Sequence, residues 1–194
     1  MKHLIVYAHP HEGSSLNNAI LNTAVEALEA QGHEVVVRDL YKLGFQPVLT
    51  EADTASMRAG QTPEDIATEQ KYVADAEAIT FIYPIWWTGL PAILKGYVDR
   101  VFSYGFAYVA GEAGIEKLLT GKKGLIINTH GTPSEVYDQI GMTAGLKVTS
   151  DVGIFDFVGI EAVDHLLFGS IGYLETAAYE AMLEQVKQTV STKF

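Results

Sequence analysis

The chain alternates short apolar runs with longer stretches in which apolar residues recur every three or four positions. The short runs are rich in β-branched residues and predict five strands, at 3–9, 33–40, 78–84, 123–130 and 161–169. Several of them lack polar alternation, which is typical of strands covered on both faces of a sheet. The longer stretches predict helices at 14–32, 64–78, 90–102 and 174–190, with a fifth helix in part of 138–158.

The order of these elements predicts the fold class. Apolar residues recur at helical spacing from Leu16 to Leu28, and Gly32 ends that helix. Ser14 or Ser15 can cap its start. Because strands and helices alternate, the chain is predicted to form an α/β fold, with five parallel strands in an open sheet and helices on both faces. Residues 1–194 are expected to form one domain.

Composition narrows the function. The net charge is -11, with 13 basic and 24 acidic residues, which argues against nucleic acid or an anionic membrane as a partner. Cysteine is absent, so thiol catalysis and disulfides are excluded. The N-terminus leads directly into a strand, and no apolar stretch approaches the length of a membrane span. We therefore expect a cytoplasmic protein that is not embedded in a membrane.

Three segments follow strands at the edge where parallel sheets bind ligands. They are AHPHEGSSLNNA (8–19), YPIWWTG (83–89) and NTHGTPSEVY (128–137). The first leads into a helix, whose free N–H groups favour an anion. Its hydroxyl and amide side chains can add donors, although its serines can equally be helix caps and nothing more. The P-loop and G-x-G-x-x-G motifs are missing, so the segment is not set up for ATP or for a Rossmann-bound dinucleotide. His9 and His11 have no third ligand nearby, so no metal site is expected.

The second and third segments supply aromatic and donor groups. Trp86 and Trp87 can lie against a flat ligand, or can form a hydrophobic corner under a neighbouring loop. Gly131 allows close approach of a ligand, and the Tyr137 hydroxyl is a candidate proton donor or oxyanion stabiliser. A phosphate site, an aromatic wall and a donor loop at one edge match the needs of flavin mononucleotide (FMN).

The same residues resemble a known family. The chain is similar to the NAD(P)H:quinone oxidoreductases of the flavodoxin-like superfamily (the DT-diaphorase group) and to the ancillary oxidoreductases of bacterial potassium-efflux systems. The likeness covers nearly the whole chain, and its most specific block is 69–108. It implies a flavodoxin-like fold, a homodimer with a flavin at each subunit interface, and ping-pong hydride transfer from NADPH or NADH to a quinone-like acceptor.

The resemblance also implies site residues. Tyr137 matches the family's catalytic tyrosine, and Phe106 and Tyr108 fall in the segment that reaches over the partner's flavin as part of the substrate pocket. The cofactor-binding positions are His9, Ser15, Leu16, Asn17, Pro84, Ile85, Trp86, Trp87, Thr88, Asn128, Thr129, His130, Gly131 and Tyr137.

Two departures from the family pattern concern the proton chemistry. Thr143 stands where many members carry a histidine six residues after the tyrosine, and His130 replaces a glycine of the family's TTGG sequence. FMN is the expected cofactor, with FAD as the alternative. Two other functions remain open, namely a flavodoxin-type electron carrier and a regulatory subunit of a transporter.

Overall fold

The structure is a computed structural model that describes residues 1–11 and 13–194. Its central sheet has five parallel strands: β1 (Lys2–Tyr7), β2 (Glu34–Asp39), β3 (Ala78–Pro84), β6 (Lys123–Thr129) and β7 (Glu161–Phe168). They lie in the order β2-β1-β3-β6-β7. A separate antiparallel hairpin consists of β4 (Tyr108–Gly111) and β5 (Gly114–Lys117). The predicted fold class is therefore confirmed.

Helices cover both faces of the sheet. Their bounds are α1 (Leu16–Ala30), α2 (Glu51–Arg58), α3 (Glu64–Asp75), α4 (Ala92–Val101), α5 (Ser134–Gln139), α6 (Met142–Lys147) and α7 (Thr176–Lys193), and α6 continues as a nine-residue π-helix (Val148–Asp156). The core on one face packs α1 and α7 against the sheet, and the core on the other face packs α3, α4, α6 and the π-helix. Every residue of β3 is buried, which explains its unbroken apolar run.

Local signals set the helix ends. The Ser15 hydroxyl accepts a hydrogen bond of 3.1 Å from the Asn18 N–H, so the predicted cap is present at α1. Gly32 adopts φ 80 after the helix, a conformation that glycine reaches without strain. The helix expected in part of 138–158 is present as α6 and its π-helical continuation, and Gly141 with φ 76 separates it from the short α5.

The two long connections between the predicted elements, 41–63 and 103–121, contain regular structure. Residues 41–63 contain α2, which begins at a capping box formed by Thr50 and Asp53. Residues 103–121 contain the β4–β5 hairpin. The first connection crosses α4 closely, since a Cβ on Gly96 would lie 2.1 Å from the carbonyl oxygen of Pro47.

A buried ion cluster fixes that crossing. Arg100 on α4 contacts Asp53 at 3.1 Å and Asp65 at 2.6 Å, and it donates to the Gln46 carbonyl at 2.8 Å. The Arg100 side chain is only 5% exposed. Its hydrogen bond holds the pKa of the Asp53 carboxyl below its usual value. We call Arg100, Asp53, Asp65 and the Gln46 carbonyl the Arg100 cluster.

Candidate functional site

The sheet order brings the three predicted segments together. Strands β1, β3 and β6 are neighbours, so their carboxyl ends meet at one edge, next to the point where the winding of the sheet reverses. Asn17 Nδ2 donates to Thr129 Oγ1 at 2.8 Å, and the Ile85 N–H donates to the Thr129 carbonyl at 2.8 Å. We call residues 8–17, 84–89 and 128–137 the three-loop edge; position 12 lies outside the described residues.

The first segment offers a helix N-terminus with open polar atoms. Asn17 is buried, and its Oδ1 has no partner among the described residues. The first turn of α1 contains no acidic side chain, so its positive end is not neutralised locally. His9 Nδ1 accepts from the His11 N–H at 3.2 Å, and burial lowers the pKa of His9. These features suit an anion at the start of α1.

The two tryptophans lie in a tight turn. Trp86 and Gly89 exchange two backbone hydrogen bonds of 3.1 Å, and the turn residues Trp87 and Thr88 adopt φ 50 and φ 58. These left-handed conformations are strained for residues other than glycine. Trp87 is 100% exposed and Trp86 is 43% exposed, so within one chain Trp87 does not form a hydrophobic corner. The turn therefore holds a large apolar ring out at the site edge.

In the third segment an imidazole is stacked on the candidate catalytic ring. The rings of His130 and Tyr137 are 4.2 Å apart between centroids and only 6° from parallel. His130 is buried, and its Nδ1 has no partner among the described residues. Burial lowers the pKa of His130, so the imidazole is neutral at pH 7. A neutral imidazole has one N–H donor and one acceptor.

Asn128 belongs to a buried chain of polar groups. Its Nδ2 lies 2.9 Å from His165 Nε2, and His165 Nδ1 lies 2.7 Å from Asp151 Oδ1 on the π-helix. Because the carboxylate accepts, His165 donates from Nδ1 and accepts the Asn128 amide at Nε2. The remaining Asn128 Oδ1 is buried without a partner among the described residues. Asp151 and His165 were not predicted as site residues from the sequence. The signal that could have pointed to them is a histidine within the apolar run of β7.

A polar cleft of about 340 Å³ lies behind this segment. We call it the polar cleft, and its lining includes His130, Asp138, Thr143, Lys147, Asp164 and His165. Thr143, the residue at the family's histidine position, thus lies in the same cleft as His130.

Among the described residues, no hydrogen bond or ring contact joins Phe106 or Tyr108 to the three-loop edge. Tyr108 packs against Phe157 with ring centroids 5.1 Å apart and lines grooves with Phe102. Within one chain the structure does not bring these two predicted pocket residues to the other site residues.

The donor set fits a flavin. The open helix N-terminus suits the phosphate of a flavin. The unpartnered buried polar atoms suit the polar edge of its ring system, and the exposed indole suits the apolar face of that ring system. In contrast, no three His, Asp or Glu side chains lie close enough to hold a metal ion in the described part of the chain. No helix of residues 1–11 and 13–194 is long and apolar enough to cross a bilayer.

Comparison with known proteins agrees with the fold. The family Flavodoxin_2, described as having a flavodoxin-like fold, matches residues 1–190. The chain belongs to this family.

Relatives within the flavodoxin-like family are oxidoreductases by name. The chain is 38% identical over 193 residues to an "Uncharacterized NAD(P)H oxidoreductase" of Haemophilus influenzae, covering 100% of this chain and 96% of the relative. It is 32% identical to NAD(P)H dehydrogenase [quinone] 1 of Rattus norvegicus, covering 97% of this chain and 76% of the relative. The structure of an NAD(P)H:quinone oxidoreductase from Methanothermobacter marburgensis matches with a TM-score of 0.88, 25% identity and coverage of 99% and 96% of the two chains.

These relatives confirm the resemblance to the NAD(P)H:quinone oxidoreductases. The likeness to potassium-efflux ancillary subunits stays a prediction.

Proposed function

We propose that the chain is a flavin-dependent NAD(P)H:quinone oxidoreductase. Its relatives are named NAD(P)H oxidoreductases and dehydrogenases, and the chain is an oxidoreductase enzyme of the same family. The observation that carries the flavin is the three-loop edge, where buried polar atoms lack partners among the described residues beside a fully exposed tryptophan. A bound flavin would satisfy both, because it has polar edges and broad apolar faces.

Each loop would hold a different part of the cofactor. His9, Ser15, Leu16 and Asn17 would bind the phosphate and ribityl chain at the start of α1. Residues 84–88 would lie against the ring system, and residues 128–131 with Tyr137 would face its pyrimidine edge. When bound, the flavin would accept a hydride from NAD(P)H and pass it to the acceptor. We favour FMN over FAD, because the sequence has no adenosine-binding signature.

The protein's own residues would control position and protons. The backbone donors of 128–131 would fix the polar edge of the ring, and the Tyr137 hydroxyl would stabilise or supply charge there. The reaction would be ping-pong, with NADPH or NADH reacting first and a quinone-like acceptor second. A location in the cytoplasm and organisation as one domain stay predictions.

The proposed enzyme is a homodimer. Five exposed apolar residues lie on and after α5, and we call them the apolar band: Val136, Ile140, Val148, Val152 and Phe157, each between 39% and 62% exposed. Exposed apolar surface of this kind favours a protein partner. A second copy would cover the band and would bring its Phe106 and Tyr108 to the neighbouring flavin, which they do not reach within one chain.

The deciding experiment is anaerobic spectroscopy of the purified protein with FMN, followed by NADPH and then benzoquinone. We expect a yellow protein that is bleached by NADPH and recovers its colour on addition of the quinone. A protein that binds flavin but is not bleached would be a flavodoxin-type carrier or a regulatory subunit. A protein that remains colourless with both FMN and FAD would overturn the proposed site.

A further inference from the structure

The reaction proposed above needs a proton that the nicotinamide does not provide. NAD(P)H contributes a hydride, whereas hydroquinone formation follows NAD(P)H + H⁺ + quinone → NAD(P)⁺ + hydroquinone. One proton therefore enters from water in each turnover. A bound flavin and the Trp87 ring would exclude water from the reacting centre. The proton would then have to arrive through groups of the protein.

We propose that His130 carries this proton from the polar cleft to Tyr137. This inference rests on the proposed function, and three observations on His130 support it. Its ring lies parallel to the Tyr137 ring at 4.2 Å, it lines the polar cleft, and its buried Nδ1 has no partner among the described residues. Within the described part of the chain, His130 is the one residue of the cleft's lining that is stacked on Tyr137.

The stack gives a workable transfer distance. The ring nitrogens and the phenol oxygen sit at the edges of two rings whose centroids are 4.2 Å apart, so one water at the edge of the stack could bridge them. If residue 130 served only for packing, it would not need a ring nitrogen at the buried Nδ1 position. A buried nitrogen without a partner costs stability, so its presence favours a role in proton transfer. The close packing at Gly169, where a Cβ would lie 2.9 Å from His130 Cε1, keeps the imidazole in place.

The charged groups around His130 suit proton uptake. Tyr137 and Asp138 approach from α5, Lys147 from α6, and Asp164 and His165 from β7, whereas α7 contributes uncharged residues to the cleft. The aspartates can attract a proton at the mouth of the cleft, and Lys147 balances their charge.

The Tyr137 O–H bond breaks as a new O–H bond forms on the quinone-derived oxygen, which becomes the hydroquinone hydroxyl. His130 returns a proton to the Tyr137 oxygen from one ring nitrogen and takes one from cleft water at the other. No electrons move through His130, and the net change is one proton from water to product.

The test separates the two half-reactions by stopped flow. His130→Phe keeps a ring in the stack and removes the nitrogens. We expect re-oxidation by benzoquinone to slow about 10²-fold, while bleaching by NADPH changes less than about 2-fold. FMN affinity is measured by fluorescence quenching, so that both rates are compared at full FMN occupancy. His33→Phe makes the same chemical change far from the site and should leave both half-reactions unchanged. Wild-type re-oxidation by His130→Phe would overturn the proposal.

A second pair of variants guards against misfolding. His130→Gln is smaller than phenylalanine and also cannot relay a proton, so it should show the same slow re-oxidation with an unchanged melting temperature. His130→Ala leaves space for a free base, and imidazole in solution should restore its re-oxidation rate at least about 10-fold, with saturation. Failure of imidazole to accelerate His130→Ala would indicate a packing role and overturn the proposal.

NMR spectroscopy of the flavin-free protein tests the coupling of His130 to Tyr137 directly. In ¹⁵N-histidine NMR spectra, the signal lost in His130→Phe should show a neutral ring at pH 7 and should shift in Tyr137→Phe. A signal insensitive to Tyr137→Phe would contradict the coupling. If NADPH fails to bleach the wild-type protein, the proposed function itself fails, whereas normal bleaching with unimpaired re-oxidation of His130→Phe removes only the role of His130.

Discussion

The Arg100 cluster and the three-loop edge are both polar regions of the same fold, but they treat their polar groups differently. In the Arg100 cluster, each buried charge faces a partner within about one hydrogen-bond length, at 2.6 to 3.1 Å. At the three-loop edge, Asn17 Oδ1, Asn128 Oδ1 and His130 Nδ1 are buried with no partner among the described residues. Folding therefore satisfies the first region and leaves the second open to a ligand.

The difference shows why a polar residue's type alone does not reveal its role. Asp53 and Asn17 are similarly buried, yet one completes a capping box and an ion pair while the other keeps a free acceptor. An unsatisfied buried atom costs stability unless something binds it. Substitutions in the first region should thus change stability, and substitutions in the second should change binding and turnover.

The largest effect is expected from Arg100→Met. This change leaves Asp53 buried without its partner, which should lower the free energy of unfolding by about 3 kcal/mol or more. Urea denaturation measures the loss, and Lys95→Met is the matched control, because the Lys95–Asp99 pair is exposed. FMN bound per folded molecule should not change. A stable Arg100→Met protein that has lost FMN affinity would break the comparison.

Tyr137→Phe should have the next largest effect, on turnover. The ring and its stack on His130 remain, whereas the hydroxyl is lost, so quinone reduction should slow about 10²-fold. FMN affinity and melting temperature should stay near those of the wild type. Tyr72→Phe, on α3 beside Arg38, removes a hydroxyl away from the edge and should have no kinetic effect. Unchanged turnover in Tyr137→Phe would reduce this tyrosine to a packing residue.

His3 sharpens the comparison, because its buried Nδ1 also lacks a partner among the described residues but lies far from the three-loop edge. Its Nε2 is 2.7 Å from Thr80 Oγ1, its ring packs edge-on against Phe194, and burial, with His33 nearby, lowers the pKa of His3 to about 3. In the unfolded chain His3 takes up a proton near pH 6.5, whereas in the folded chain it does so only near pH 3. The contribution of neutral His3 to the free energy of unfolding is therefore fully present above pH 6.5 and is lost as the pH falls towards 3.

From pH 7 to pH 5 the loss attributable to His3 should be about 2 kcal/mol. His3→Gln should remove that part of the pH dependence, as measured by urea denaturation at both pH values, and should leave FMN affinity unaltered. An effect of His3→Gln on turnover by folded protein would show that unpartnered atoms outside the edge also serve the site.

Trp87→Ala should give the smallest of these effects. Loss of the exposed ring should weaken FMN binding about 10-fold through lost stacking, with little change in stability because the side chain contacts nothing within its own chain. Fluorescence titration measures the affinity, and Val37→Ala on the edge strand β2 is a control that removes other exposed apolar surface. FMN affinity equal to that of the wild type would mean that Trp87 serves another surface, such as the proposed dimer contact.

Much of the fold was predictable, because the relevant signals are local. Strand positions follow from buried apolar runs, and the Ser15 cap and Gly32 stop define α1. The capping box at Thr50 and the glycines of the 111–114 turn were readable too, but they lie in segments interpreted as connections. The π-helix was not predictable, since apolar periodicity does not specify its wider hydrogen-bonding pattern.

The candidate site was predictable as a set of loops and not as a set of contacts. Parallel strand order implies that β1, β3 and β6 end at one edge. The stack of His130 on Tyr137 and the Asp151–His165–Asn128 chain join residues that only tertiary packing brings together. The left-handed turn at Trp87 was also hidden, because a tryptophan carries no local preference for that conformation.

The π-helix has a consequence for comparing sequences within the family. A π-turn behaves as an α-helix into which an extra residue has been inserted. Deleting one residue between 148 and 156 would close the π-turn into an α-turn, so the residues within the turn, Asp151 among them, would shift position along the helix. Asp151 would then move relative to His165. A single-residue gap in an alignment of this segment thus marks a change of helix type, and the segment's length becomes a marker for relatives that retain the contact.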